Sequence, residues 1–326
     1  MDSEGRIRWG ILGTANIARA SFLPGLREAG GGVAYAVAGR DGARAEAFAR
    51  ENGVDSALEG YERLLADAAV DAVYVPLPNS LHAEWTVRAL EAGKAVLTEK
   101  PLCISPGETE RVLQAAAPGR LLWEAFVFPF QPQYRRLEAL LRDGALGELR
   151  EIQAFFYFRV RAPENIRMRP ELAGGALNDV GCYPVHLACL LFGAEPARSQ
   201  AAVRMSATGV DIETRALLDF PEGRGLYFGC GMDRSYDTVG RLIGSEAEVR
   251  LSHPYHPRPA DTLELRRPDG SMLVERPTNY ERPFMPAIRH IHGVLRGEHG
   301  PEHLAVDDAM ATARALEQVR RAPAAP

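Results

Sequence analysis

The chain has no C-x-x-C pair, and its four cysteines, Cys103, Cys182, Cys189 and Cys230, follow no regular spacing. Zinc ribbons and disulfide scaffolds are therefore excluded, no metal is expected, and a reducing cytoplasm fits best. Basic excess is missing too: 38 Lys and Arg against 43 Asp and Glu give a net charge of -5, which offers no positive field to a phosphate backbone. Nucleic acid is set aside as a partner. Long apolar runs are also lacking, since Ala68 to Leu77 is broken by Asp71 well short of the ~20 residues a membrane span requires. Met1 to Arg8 is polar and leads into a strand, so neither a signal peptide nor a membrane partner is expected. With 46% hydrophobic and 25% charged residues, the chain has the composition of a folded globular protein, which excludes disorder.

What is present is a change of rhythm along 326 residues, a length that predicts two domains. The first third alternates strands and helices: strand Ile7 to Leu12, a turn at Gly13 and a helix, strand Val33 to Ala38, helix Ala43 to Asn52, strand Ala72 to Val75, helix Ser80 to Ala92 ended by Gly93, and strand Ala95 to Thr98. Such alternation predicts a parallel, doubly wound sheet. After about residue 123, strands Ile152 to Val160, Gln200 to Met205, Glu213 to Phe220, Gly225 to Met232, Ala247 to Leu251 and Thr262 to Arg267 follow one another across short turns, the pattern of a mostly antiparallel sheet. Helices Gln133 to Asp143 and Gly181 to Phe192 interrupt them; an amphipathic helix Val306 to Arg321 closes the chain, with fraying expected over Ala322 to Pro326. The expected domains are 1–122, dinucleotide-binding, and 123–326, substrate-binding.

The first strand-to-helix junction reads Gly13-Thr14-Ala15-Asn16-Ile17-Ala18. A Rossmann fold holds a pyrophosphate at this junction, against helix N–H groups, and Ala15 in place of the middle glycine asks the cofactor to tolerate one methyl group. At the end of the second strand, Arg40 suits a 2'-phosphate and so NADP, whereas Asp41 one residue on would suit NAD. Pro78-Asn79-Ser80-Leu81-His82 follows a strand, at the sheet edge where ligands of such folds bind; Asn79 and His82 are cofactor candidates, or a turn residue and a first-turn histidine.

Glu99-Lys100-Pro101 ends another strand. A lysine there is costly to desolvate without a partner or a chemical task, so Lys100 is read as facing the nicotinamide with Glu99 orienting it, or else as half of a surface salt bridge. The proline pins an extended backbone. Further on, Asp179, Tyr183 and His186 stand at i, i+4 and i+7, one helix face if the helix starts near residue 180, although Pro184 is tolerated only in its first turn. A carboxylate, a phenol and an imidazole on one face form an acid/base set; the plain alternative is a cap, a packed tyrosine and a core histidine.

Taken together, the Gly13 to Ala18 turn, Pro78-Asn79-x-x-His82, Glu99-Lys100-Pro101, Glu124-Ala125-Phe126 and Asp179-x-Gly181-x-Tyr183 resemble, in order, the Gfo/Idh/MocA oxidoreductases, in particular the glucose-fructose oxidoreductase, D-xylose dehydrogenase and dimeric dihydrodiol dehydrogenase branch. The resemblance covers about Arg6 to Arg321. It implies an α/β Rossmann domain plus an α+β domain with a large open, mostly antiparallel sheet, whose exposed face forms a homodimer or a higher homo-oligomer. It implies that Lys100 is the catalytic lysine, that Asp179 helps hold substrate, and that Tyr183 marks sugar and dihydrodiol branches. Pro129 and Gln131 replace an arginine and a histidine that this branch often carries.

The expectation is an NAD(P)-dependent oxidoreductase, NADP before NAD, moving hydride between the nicotinamide and a carbinol of a sugar, polyol or trans-diol. Lys100, Tyr183 and Asp179 are its catalytic residues; His186 and Glu99 bind substrate; Gly13, Thr14, Ala15, Asn16, Ile17, Arg40, Pro78, Asn79, His82, Glu99 and Lys100 bind cofactor. Either Tyr183 or Lys100 transfers the proton. A non-catalytic sugar sensor and a redox-neutral enzyme using the cofactor transiently are the alternatives.

Overall fold

The computed structural model describes residues 1–116, 119–162, 164–276 and 282–322. From residue 323 on, the tail expected to fray lies outside them. In chain order the elements are β1 (Ile7–Leu12), α1 (Leu23–Ala29), β2 (Gly32–Gly39), α2 (Gly42–Asn52), β3 (Ser56–Glu59), α3 (Tyr61–Ala66), β4 (Ala72–Val75), α4 (His82–Glu91), β5 (Ala95–Thr98), α5 (Pro106–Ala115) and β6 (Leu122–Glu124). Then come α6 (Pro132–Arg142), β7 (Leu149–Arg159), α7 (Cys182–Phe192), β8 (Arg198–Met205), β9 (Asp211–Asp219), β10 (Gly225–Gly231), β11 (Asp233–Gly244), β12 (Glu248–Leu251), β13 (Leu263–Arg266), β14 (Met272–Glu275), α8 (Met285–Leu295) and α9 (Ala305–Arg321). None of the helices among the described residues is long and apolar enough to cross a membrane.

The chain forms two compact units, one from residues 1–103, 107–127 and 281–307, the other from 104–106, 128–280 and 308–326, so far as these are described. The division expected at 122/123 thus falls at 127/128, residues 104–106 belong to the second unit, and the chain returns to the first unit through α8. No element was expected there, because Met285-Pro-Ala-Ile-Arg-His-Ile-His-Gly breaks its apolar period with Pro286 and Gly293. Pro286 falls in the first turn, where its missing N–H costs nothing.

The first unit is a six-stranded sheet in the order β3-β2-β1-β4-β5-β6, every pair parallel. The order reverses between β1 and β4, and in open α/β sheets that switch point is where ligands bind, beyond the strand C-termini. β4 and β5 are buried throughout, which is why they read as short uninterrupted apolar runs. Phe22 stacks on Tyr74 with centroids 4.1 Å apart, and Trp9 meets Phe22 edge-on at 5.3 Å.

The second unit is an eight-stranded sheet, β14-β13-β12-β11-β7-β10-β9-β8, antiparallel except for the parallel pair β7/β10. Its register aligns Leu218, Leu226, Ile152, Leu242, Val249 and Leu265 in one row across six strands, all with 0% exposure. The almost wholly apolar α7 packs on β7 and β10. On the opposite face the row runs Leu217, Tyr227, Gln153, Arg241 and Arg250, mixing exposed apolar and charged side chains. Gly229 is required on that face, since the Tyr157 hydroxyl lies 2.0 Å from where its Cβ would stand.

Candidate functional site

β1 delivers the chain to Gly13, whose φ of +92° belongs to the left-handed region and whose N–H donates to Ala38 O at 2.7 Å. A Cβ there would stand 3.0 Å from Leu77 Cδ2. Thr14 and Ala15 are half-buried, and Asn16 and Ile17 open an exposed helical turn that continues through a π-helical turn, Ala18–Phe22, into α1. No acidic side chain occupies that first π turn, so the N–H groups at the helix start face no competing carboxylate there. The Tyr61 hydroxyl lies 3.8 Å from the same Cβ position. Burial pushes the Tyr61 phenol up, while the neighbouring guanidinium groups of Arg40 and Arg44 pull it back. Asp41 does not face this point as the alternative register had it: it is the N-cap of α2, its carboxylate accepting from Arg44 N–H at 3.1 Å. One sheet end therefore presents a glycine turn, a phenol and two guanidinium groups.

At the switch point, Pro78 and Asn79 are half-exposed, with Asn79 opening the short 3-10 turn Asn79–Leu81. His82 is placed differently from expectation. It is 0% exposed, with Nδ1 2.7 Å from Pro101 O and Nε2 2.8 Å from Leu77 O, so both ring nitrogens are used inside the protein and none is left for a cofactor. Burial holds its pKa down. The imidazole instead ties the β4 exit to the turn after β5.

That turn carries Lys100, half-buried, and its Lys100–Pro101 peptide is cis. Tyr74 Oη donates to Glu99 Oε1 at 2.6 Å, and Glu99 Oε2 accepts from Lys100 N–H at 3.3 Å. On the far side Glu124 Oε1 accepts from Leu102 N–H at 2.7 Å. Lys100 thus stands on a backbone clamped from β4, α4 and β6. Glu124 belongs to a motif in the sequence that does not by itself assign it this task; a carboxylate in a buried strand is the signal available.

In the second unit a π-helical turn, Leu177–Gly181, runs directly into α7. The wider turn is continuous with the helix up to Pro184, so Tyr183 stays helical, but the i, i+4, i+7 face of a plain α-helix is not what forms. Asp179 Oδ2 accepts from Arg167 Nε at 2.6 Å. Tyr183, 5% exposed, has its hydroxyl 3.2 Å from His256 Nε2 and its ring 5.0 Å from that of Tyr255. His186 corrects the expectation of a pocket-lining group: at 3% exposure it is a core histidine, its Nδ1 3.1 Å from Thr312 Oγ1 on α9 and its Nε2 3.8 Å from Asp308. His256 was not predicted, because it lies in an irregular loop with no spacing rule to α7. Beneath the π turn, Asp211 accepts from Leu177 N–H at 2.7 Å; burial pushes its carboxyl up to about 6.

Two family models match the chain: the NAD-binding Rossmann fold of the Gfo/Idh/MocA oxidoreductase family over residues 7–123, and the C-terminal domain of the same family over 134–250. A dTDP-3,4-didehydro-2,6-dideoxy-alpha-D-glucose 3-reductase from Streptomyces violaceoruber is 40% identical over 81% of this chain and 79% of that protein. D-xylose 1-dehydrogenase (NADP(+)) 2 from Haloferax volcanii is 36% identical over 82% of each chain. Among solved structures, a 3-ketoreductase from Actinomadura kijaniata in complex with NADP and TDP-benzene superimposes with a TM-score of 0.87 at 34% identity, covering 98% of both chains.

Proposed function

Since the chain belongs to the Gfo/Idh/MocA oxidoreductase family, we propose that it is an NADP-dependent enzyme reducing a keto group of a sugar, or oxidising the corresponding carbinol. The observation that carries this reading is the Lys100 turn, a half-buried lysine at the C-terminal end of β5 whose backbone is held through Glu99, His82 and Glu124. A lysine on so fixed a backbone can bring its charge to an oxyanion developing on a reacting oxygen. A nucleotide-linked keto-sugar is the favoured substrate class, supported by the 40% identity to the Streptomyces 3-reductase.

The donor set fits a phosphorylated dinucleotide. The Gly13 turn and the helix start, with Thr14, Ala15, Asn16 and Ile17, would hold the pyrophosphate, Arg40 and Arg44 a 2'-phosphate, and Pro78 and Asn79 the nicotinamide half. When bound, the cofactor supplies or takes the hydride. Tyr183 exchanges the proton with the substrate oxygen, Lys100 stabilises the charge on that oxygen, and Asp179, oriented by Arg167, receives a substrate hydroxyl. Exposed Leu217 and Tyr227 on the open sheet support self-association there, and four buried free thiols suit a reducing cytoplasm.

The test is absorbance of the reduced nicotinamide with keto-sugars, dTDP-linked and free, and with D-xylose in the oxidative direction. Lys100→Met is expected to cut turnover on the order of a hundredfold or more while cofactor affinity holds. Near-normal turnover in that variant would sink the mechanism. Calorimetric binding of dTDP separates a nucleotide-sugar enzyme from a free-aldose dehydrogenase, which would not bind it.

A further inference from the structure

We propose that His256 is a positioning residue for Tyr183, returning a proton to its hydroxyl after each turnover; this rests on the reading of Tyr183 as the group that exchanges a proton with substrate. Tyr183 is 5% exposed, so a phenolate formed there has little direct access to water. His256, only half-buried, places Nε2 3.2 Å from the Tyr183 hydroxyl and its ring 5.2 Å away at 73°. A half-buried imidazole thus contacts the buried phenol.

The loop around it is anchored. Pro254, Tyr255 and Pro257 are buried on either side, Tyr255 lies parallel to Phe156 with centroids 5.8 Å apart, and Phe156 meets the His256 ring edge-on at 6.0 Å. The buried Tyr255 hydroxyl has no hydrogen-bond partner among the described residues, so Tyr255 braces through its ring. Of the other titratable groups around the pair, His253 is tied to Asp261 at 2.7 Å, Tyr236 stacks on His253, and Arg258 lies over Tyr236. The thiols of Cys182 and Cys230 lie beside Tyr255, and burial keeps Cys230 protonated. His256 is therefore the group on this loop aimed at the Tyr183 oxygen.

The hydrogen bond has two directions with different consequences. With Nε2 deprotonated, Tyr183 donates its O–H to the imidazole and withholds it from substrate. With Nε2 protonated, the imidazole donates and the phenol O–H points away from it. As the substrate carbonyl is reduced, the Tyr183 O–H bond breaks, its proton joins the substrate oxygen, and the electron pair stays on the phenolate. His256, as the imidazolium, then gives its Nε2 proton to that phenolate, becoming neutral imidazole, and solvent returns a proton to the ring.

Two measurements test this on the full chain. In the protein without cofactor, Tyr183→Phe should move the NMR titration midpoint of His256 by about half a pH unit or more and leave His253 in place. In turnover, His256→Gln and His256→Asn should lower kcat about tenfold or more with KM and cofactor Kd nearly unchanged, and imidazole in the buffer should restore rate to His256→Ala. Unchanged kcat, or loss expressed only in KM and unrescued by imidazole, overturns the role. If the wild type turns over none of the sugars, the functional reading fails by itself; the NMR arm still judges the pair, and identical His256 titrations in the wild type and Tyr183→Phe overturn it.

Discussion

The indole N–H of Trp9 donates to Nε2 of His292 at 2.9 Å, joining the first strand of the sheet to a helix 283 residues later in the chain. Nδ1 of the same ring lies 2.8 Å from Gly30 O, so Nδ1 carries the hydrogen and the neutral tautomer is fixed. This one imidazole secures α8 to the Rossmann sheet.

Burial lowers the His292 pKa from 6.5 to about 4. The unfolded chain therefore takes up a proton between those values that the native state refuses, and stability is full above pH 6.5 and falls as pH drops toward 4, by about 3 kcal/mol. All three tryptophans, Trp9, Trp85 and Trp123, lie in the first unit, so denaturant unfolding followed by tryptophan fluorescence reads it selectively. A midpoint that stays flat from pH 7 to 4.5 in the wild type would contradict the assignment; flattening is expected only in His292→Phe, which should also cost about 1–3 kcal/mol at neutral pH because the Trp9 N–H loses its acceptor.

Asp211 has the opposite sign. Its carboxyl is raised from 3.8 to about 6, so the native state holds a proton that the unfolded chain has lost, and the contribution to stability present below pH 3.8 disappears as pH rises through 6. Asp211→Asn keeps an acceptor for Leu177 N–H and removes the titration. Hydrogen exchange over peptides covering 177–192 should show protection in the wild type decreasing from pH 5 to 7, after correction for intrinsic rates, and a level response in the variant. The same slope in both would assign it to another group.

The Rossmann half was legible where its strands are buried throughout, as β4 and β5 are, and where glycines mark the turns: Gly13 and Gly93 sit where the sequence puts them, both at positive φ, whereas the half-exposed β3 and the three-residue β6 were not expected. β11 was not, although it is the longest strand. Its first half, Asp233-Arg-Ser-Tyr-Asp, is exposed and polar, so the alternation that identifies a half-buried strand starts only at Thr238. The site shows the same divide. Residue types such as Lys100 and Tyr183 follow from their motifs, whereas the partners of each, Glu124 for the turn after Lys100 and His256 for Tyr183, come from strands and loops that no local spacing links to them. His82 and His186 read as ligands because an imidazole is chemically versatile, and only burial with their ring nitrogens engaged within the fold reveals them as braces.

Glu124 should matter to activity through the backbone of the lysine turn. Glu124→Ala leaves the Leu102 N–H without its acceptor and should cost about 1–3 kcal/mol, with faster hydrogen exchange at residues 100–103 and reduced kcat. Glu124→Gln retains a carbonyl oxygen at the same reach and should recover most of both. Equal damage from the two variants would mean that the negative charge, not the hydrogen bond to Leu102, is what the site requires.

Arg40 and Arg44 should decide between the two nicotinamide dinucleotides. With Asp41 committed to the N-cap of α2, the end of β2 presents cations beside the Tyr61 hydroxyl, and a 2'-phosphate gains charge-assisted hydrogen bonds there that a plain ribose does not. A hydrogen bond to a charged group is worth about 1.5–3 kcal/mol, so Arg40→Ala should weaken NADPH binding roughly 10- to 100-fold while changing NADH affinity little, and Arg40→Ala/Arg44→Ala should remove the preference. Fluorescence titration of both cofactors at two salt concentrations checks this, because the NADPH term should shrink with added salt and the NADH term should not. Equal losses for both cofactors would place the arginines at the pyrophosphate instead, and no loss for either would leave them as solvated turn residues.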